Sequence, residues 1–303
     1  MKPPNNLRKV KSDMEIKSYK DALSFLQENL KAHVPSTSLY SEVEMVLKQI
    51  GQLELKNSIE QNRSFSFSLL KGNEVLFPFV QMGAVSTVDL LRVDEIIMFA
   101  FYVKNMAKYD IFFDLGANLG LHTLVVAGLG GQVIAYEPDK VHYGILSENV
   151  LLNNCQNVEC RNAAIGDSSK DVQFVRVLGN TTSSHVKGEK ANPYGALEEF
   201  TVKCDELNSQ LNNLNKVLLK IDIEGMEAAL ILSITKPNWQ KVDAFVEVGT
   251  EENARAIFEY CMQIDLKVYA QQSGWAEVTD IKDMPANYKD GSIFLTNSGM
   301  TWS

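Results

Sequence analysis

The chain has 303 residues, enough for one large core or a core with a small appendage, and its 45% apolar and 22% charged content is that of a folded globular protein. A formal net charge of −9 argues against a general nucleic-acid or anionic-membrane binder, because phosphate contacts need clustered Lys and Arg, and the short basic group Arg8, Lys9 and Lys11 does not offset it. Cys155, Cys160, Cys204 and Cys261 form no CxxC pair and have no His at zinc-site spacing, so they read as reduced thiols.

Met1 to Lys11 lacks the apolar core of a signal peptide, and the longest apolar run, Ile96 to Val103, is far shorter than the roughly 20 residues of a membrane helix. A cytoplasmic protein with no membrane partner is expected. Residues 1–60 predict a helical appendage. Ser18 precedes an amphipathic run through Ala22, Leu23, Leu26 and Leu30, and Ser41 with Glu44 has capping-box spacing ahead of Val46, Ile50 and Leu53. Such helices could cover a site or a second copy of the chain, while plain packing on the core is the simpler reading. A single domain over 61–303 follows. Ser64 to Leu69 alternates with period two, Lys71-Gly72-Asn73-Glu74 reads as a turn, and Val75 to Val80 completes a hairpin whose Pro78 belongs at an edge. Ser86 and Asp89 then open a long apolar helix through Ile96, Ile97, Ala100 and Val103.

From Ile111 onward strands and helices alternate, with strands expected near 111–115, 132–137, 157–162, 217–223, 243–248, 265–270 and 291–296. That alternation predicts an α/β, Rossmann-like, doubly wound and mostly parallel sheet. An insertion at about 171–204 reads as a hairpin, its arms Asp171 to Val177 and Glu199 to Lys203 joined by a polar stretch from Gly179 to His185 that could cover substrate.

The first strand of the series ends Asp114-Leu115-Gly116-Ala117-Asn118-Leu119-Gly120, and the next ends Tyr136-Glu137-Pro138. Gly116 permits a turn that a side chain would block, and Gly120 lets the following helix sit close on the sheet. Glu137 falls at the strand end where a carboxylate can accept both hydroxyls of a ribose. Asn118 occupies the place where a dinucleotide fold uses glycine to approach pyrophosphate, and Asp114 would repel phosphate while attracting an ammonium or sulfonium. These residues favour S-adenosylmethionine over NAD.

A second group, Lys220-Ile221-Asp222-Ile223-Glu224-Gly225-Met226-Glu227, sets two carboxylates at the carboxyl end of a strand that should be apolar throughout, and Glu247 repeats the pattern on the next strand. Glu227 could serve only the following helix, and Glu247 could serve only to pair with Lys220.

Together these motifs, with Asn153 and Asn162-Ala163-Ala164 between them, resemble the FkbM-type family of S-adenosylmethionine-dependent methyltransferases over roughly residues 70 to 250. The resemblance implies a class I methyltransferase fold of seven strands, the last antiparallel, and methylation of a hydroxyl on a sugar, polyketide or similar small molecule. Carried over, Asp114, Gly116, Ala117, Asn118 and Gly120 would hold the methionine end, and Asp222, nearer the buried strand, is expected to meet its ammonium. Glu137 and Pro138 would take the ribose, and Asn162 with Ala163 the adenine edge. The family's aromatic residues after the second glycine are replaced by Leu121-His122, and residues 1–60 have no counterpart in it.

An acceptor alcohol must lose its proton, and Glu224, His122 or His185 could take it. Alternatively, a divalent cation on Asp222, Glu224 and Glu247 could acidify it, although the three carboxylates also suit a metal-free site. The expected partner is a hydroxyl-bearing small molecule, a glycan or glycosylated metabolite among the candidates, and a homo-oligomer stays open. An NAD-dependent oxidoreductase and a catalytically silent nucleoside-binding module are the rival functions.

Overall fold

A computed structural model describes residues 16–70, 73–189 and 195–302. The basic group Arg8, Lys9 and Lys11, the Met1 to Lys11 stretch and the turn residues Lys71 and Gly72 lie outside the described residues.

The centre is an eight-stranded sheet made of β1 (Ile111–Leu115), β2 (Val133–Tyr136), β3 (Val158–Arg161), β4 (Val217–Ile221), β5 (Val242–Glu247), β6 (Lys267–Ala270), β7 (Ala276–Glu277) and β8 (Ser292–Thr296). Their order across the sheet is β7-β6-β8-β5-β4-β1-β2-β3. β3, β2, β1, β4 and β5 pair in parallel, while β8 runs antiparallel between β5 and β6. This is the doubly wound α/β fold expected from the alternation, with the antiparallel strand last among the seven. The two-residue β7 adds an eighth strand at the edge, too short to give a periodic signal.

Successive residues of each strand feed opposite cores, as the period of two demands. Phe112, Leu218, Phe245 and Phe294 point to one face, and Phe113, Leu219, Val246 and Leu295 to the other. The first face is covered by α1 (Tyr19–Glu28), α2 (Ser38–Glu60), α3 (Val93–Asn105), α4 (Leu121–Gly128) and α5 (Lys140–Leu152). The second is covered by α6 (Glu227–Ser233) and α7 (Glu251–Ile264). Leu23, Leu26, Val43 and Leu47 of the N-terminal helices thus share one core with the sheet.

Ser18 caps α1 by accepting from the Asp21 amide. Two other expected caps fall elsewhere. Thr37, not Ser41, caps α2, which leaves Glu44 to accept from the Val93 amide at 2.9 Å and from Arg92, so α2 anchors the start of α3. Ser86 and Asp89 do form a capping box, but on the short 3-10 turn Thr87–Leu90, and α3 starts separately after Arg92. Pro78 lies beyond the hairpin strand Asn73–Leu76, which ends earlier than its apolar run.

The insertion is larger than a hairpin. Lys170–Val177 pairs antiparallel with Leu197–Glu206, and His185–Val186 and Ala164–Gly166 extend them to a four-stranded sheet. Its loop meets the 81–86 hairpin through a Gly83–Asn180 bridge and the Ala84 amide bonded to the Gly179 carbonyl.

Candidate active site

A cleft of about 400 Å³ opens at the carboxyl ends of β1, β2, β4 and β5, where doubly wound sheets bind ligands. Gly116, Asn118, Glu137, Pro138 and Ala163 line one wall, and Glu95, Asp222, Glu224, Glu247 and Tyr288 the other.

The first wall is fixed by its backbone. Gly116 has φ +79°, and a Cβ there would lie 1.9 Å from the Asp222 carbonyl oxygen, so only glycine lets the loop cross β4 so closely. Ala117 donates its amide to the Tyr136 carbonyl. Asn118 is left-handed at φ 52°, a conformation asparagine tolerates, and its amide donates to Glu137 at 2.7 Å. Glu137 also accepts from the Asp139 amide at 2.8 Å, so each of its oxygens keeps one lone pair for a ligand. Burial pushes the Glu137 carboxyl up to about 8, against the pull of those two amides. Asn118 Oδ1 is buried with no hydrogen-bond partner among the described residues.

Three residues expected on this wall act behind it. Asp114 is fully buried and accepts from the Thr123 amide at 3.0 Å and hydroxyl at 2.7 Å, which ties β1 to α4 rather than presenting a carboxylate to the cleft. Asn162 turns its amide onto the Glu137 and Pro138 carbonyls, and its neighbour Ala163 is the one lining the cleft. Gly120, at φ +90°, makes room for Leu146 of α5, where a Cβ would meet its Cδ1 at 2.5 Å, so the close approach is helix to helix and not helix to sheet.

The second wall carries charge. Lys220, buried, donates to Asp222 at 3.0 Å and to the Gly116 carbonyl at 3.4 Å. Burial lowers the lysine, yet the Asp222, Asp114 and Glu95 carboxylates outweigh it and hold Lys220 charged. Burial likewise opposes ionisation of Asp222, but Lys220 and a hydrogen bond from Glu247 hold its carboxyl below the usual range. Glu247 is pushed well above that range by burial and by Asp222, so the two neighbouring carboxyl groups are driven in opposite directions. The Lys220–Glu247 pairing left open by the sequence gives way to a Lys220–Asp222 ion pair with Glu247 beside Asp222.

Glu224 sits at φ 56°, strained for a residue with a side chain, and the turn is braced from beneath by Glu227, which accepts from the Ile223 amide at 3.0 Å and the Gly225 amide at 3.0–3.1 Å. Glu227 thus does more than begin α6. Among the described residues no group of three or more His, Cys, Asp or Glu is arranged to hold a metal ion, and Asp222, Glu224 and Glu247 form no such group.

Neither histidine proposed as a base reaches the cleft. His122 is buried behind Glu95, bonded to it and to the Tyr102 hydroxyl, and His185 Nδ1 meets the Ser183 carbonyl. The residues that sequence did not reveal are Arg92, Glu95, His142 and Tyr288. His142 reaches Thr181 Oγ1 at 2.8 Å, holding the polar loop Asn180 to Ser184 along the cleft. The buried Asp139–Arg176 ion pair fastens the insertion to the N-terminus of α5 beside Glu137.

Residues 114–278 match the methyltransferase FkbM domain, just over half of the chain. Methyltransferase 1 of Beauveria bassiana is 27% identical over 153 residues, covering 44% of this chain and 61% of that protein. Methyltransferase sdnD of Sordaria araneosa is 23% identical over 171 residues, covering 46% and 66%. The chain therefore spans less than two thirds of either relative's length. A solved SAM-dependent methyltransferase from Agrobacterium tumefaciens overlaps at TM-score 0.38 with 11% identity, covering 77% of this chain and 69% of its own. Among the described residues no helix is long and apolar enough to cross a membrane.

Proposed function

The chain belongs to the FkbM methyltransferase domain family, and from that premise we propose that it is an S-adenosylmethionine-dependent methyltransferase whose acceptor atom is a hydroxyl oxygen of a small molecule. The observation that carries the reading is one cleft in which Glu137, each of whose oxygens keeps one acceptor site when ionised, faces a wall of carboxyl groups. S-adenosylmethionine, when bound, supplies a methyl group on a positively charged sulfur.

The residues suit that group. Glu137 would accept the ribose hydroxyls, Ala163 and Pro138 would pack the base, and Asn118 Oδ1 gives a buried acceptor to a zwitterion. Asp222, held below the usual carboxylate range beside Lys220, would meet an ammonium, whereas a pyrophosphate would be repelled there, which disfavours NAD. Glu224, held at the rim by a strained turn, would accept the acceptor's proton as the carbon–oxygen bond forms. Placing that oxygen in line with the methyl supplies much of the rate. The acceptor remains a glycan, a glycosylated metabolite or another hydroxylated small molecule, and assembly as a homo-oligomer stays open.

The test pairs binding with transfer. S-adenosylhomocysteine should raise the melting temperature by mass action, and deuterated methyl from labelled S-adenosylmethionine should enter a hydroxyl of a compound in a cell extract. Retention of NAD in place of S-adenosylhomocysteine would overturn the cofactor. Binding without any methylated product would leave a silent nucleoside-binding module, and methyl on nitrogen would overturn the oxygen assignment.

A further inference from the structure

Glu95 enters the cleft from the first turn of α3, and one of its oxygens is taken from behind. His122 Nε2 lies 2.5 Å from Glu95 Oε2, and His122 Nδ1 lies 2.9 Å from the Tyr102 hydroxyl. Glu95 as a carboxylate can only accept, so the imidazole donates to it from Nε2, and in the neutral ring Nδ1 is then the acceptor for the hydroxyl of the wholly buried Tyr102. Phe99 and Tyr102 pack against the ring, with centroids 5.1 and 5.7 Å away, so the donor cannot swing aside.

Glu95 also lines a side chamber of about 100 Å³ that shares Arg92, Glu95, Asp222, Glu247 and Tyr288 with the main cleft. The chamber runs back to Lys220, Phe245 and Ser292, room for only a few heavy atoms and set away from Glu137, which is absent from its walls. With one Glu95 oxygen taken by the imidazole, the carboxylate is fixed in place and only its other oxygen is left to accept from a ligand. Such a group suits holding a donor better than removing a proton.

Resting on the methyltransferase reading above, we propose that Glu95 orients the acceptor by accepting a hydrogen bond from a second O–H or N–H beside the methylated hydroxyl, and that His122, fixed by Tyr102, is its positioning residue. The acceptor class is then a diol or amino alcohol, not a compound with a lone hydroxyl.

The experiment measures methyl transfer from deuterated S-adenosylmethionine into a small-molecule extract of cells that contain the protein, with apparent KM read as extract dilution. Glu95→Gln keeps shape but loses charge, so apparent KM should rise about tenfold or more while kcat stays within about threefold and S-adenosylhomocysteine affinity within about twofold. His122→Leu should raise KM in the same way, and His122→Gln, which keeps a donor at the same reach, should restore most of the loss. That rescue separates positioning from folding, and thermal melting reports whether any variant is unfolded. A fall in kcat at unchanged KM for Glu95→Gln would make Glu95 the base and overturn the proposal. Weakened S-adenosylhomocysteine binding would assign Glu95 to the cofactor, with the same result, as would an unchanged KM in both Glu95→Gln and His122→Leu, or a methylated product with no second donor. If the wild type binds S-adenosylhomocysteine but transfers nothing, the methyltransferase reading itself fails and takes this inference with it.

Discussion

The wall of the cleft that holds Glu137 comes mostly from residues 116–138, whereas the facing wall draws Glu95 from α3, Asp222 and Glu224 from the end of β4, Glu247 from β5 and Tyr288 from the segment before β8. The first is a backbone device. Its positions are set by left-handed residues, by amide bonds to Glu137 and by the absence of a side chain at Gly116. The second is a side-chain device, in which Lys220, Asp222 and Glu247 fix one another's charge and Glu95 is held by His122. Backbone geometry tolerates no substitution at its tight points, while a charge network can lose one member and keep its shape. Damage should therefore be total at the tight backbone points of the first wall and separable into binding and rate on the second.

The largest effect is expected at Gly116. A valine there would drive its Cβ into the Asp222 carbonyl, 1.9 Å away, in a backbone region β-branched residues avoid. Gly116→Val should abolish S-adenosylhomocysteine binding in calorimetry, a loss of roughly a hundredfold or more. Normal binding would mean that the first wall is less rigid than its geometry implies. On the other wall, Glu224→Gln keeps size and hydrogen bonding but not basicity, so turnover should fall by ~10²-fold with cofactor affinity nearly constant. Wild-type turnover would leave Glu224 as part of a braced turn and no more.

The same contrast explains what the sequence could reveal. Gly116, Asn118 and Glu137 are legible because a strand, a loop, a helix and a strand in succession fix their relative places within a few tens of residues, whereas Ala163 is legible only through the family resemblance. Asp222, Glu224 and Glu247 are legible as a set because a buried parallel strand should not end in carboxylates. Asp114, Asn162 and His122 have the right position in sequence, but their side chains turn inward to Thr123, to the Glu137 and Pro138 carbonyls and to Glu95. Nothing in spacing reports a side chain's direction at a loop. Glu95 and Tyr288 carry no local signal at all. An acid in the first turn of a helix is expected for the helix dipole alone, and a tyrosine in a polar loop is unremarkable until the sheet brings it beside Glu224 and Glu247.

A smaller effect tests whether Glu137 belongs wholly to the first wall. Glu137→Ala removes two charge-assisted acceptors and should weaken S-adenosylhomocysteine binding at least tenfold, a loss visible in calorimetry. It also frees the amides of Asn118 and Asp139, so part of the loss is disorder of the loop. Glu137→Gln, which retains one acceptor, should fall between the two, and equal affinity in all three proteins would remove the ribose assignment.

The smallest effect comes from the proton on Glu137. Burial raises its carboxyl to about 8, so near neutral pH most of the unliganded protein carries it neutral. Ribose hydroxyls bind best to the ionised form, which accepts from both oxygens without a competing O–H donor. Ligand affinity should therefore rise as pH increases through the raised value and level off above it, because below it each binding event must first release a proton. For a group titrating near 8, the competent fraction grows roughly five- to tenfold between about pH 7 and 8.5, and S-adenosylhomocysteine affinity should grow in proportion. Proton release should be measurable as a dependence of calorimetric enthalpy on the buffer's ionisation heat. Glu137→Gln cannot titrate and should bind with a flat profile over the same range. A rise that persists in Glu137→Gln would move the titration to the opposite wall, where Glu247 is the carboxyl held protonated by burial and by Asp222, and the two walls would then share control of the cofactor.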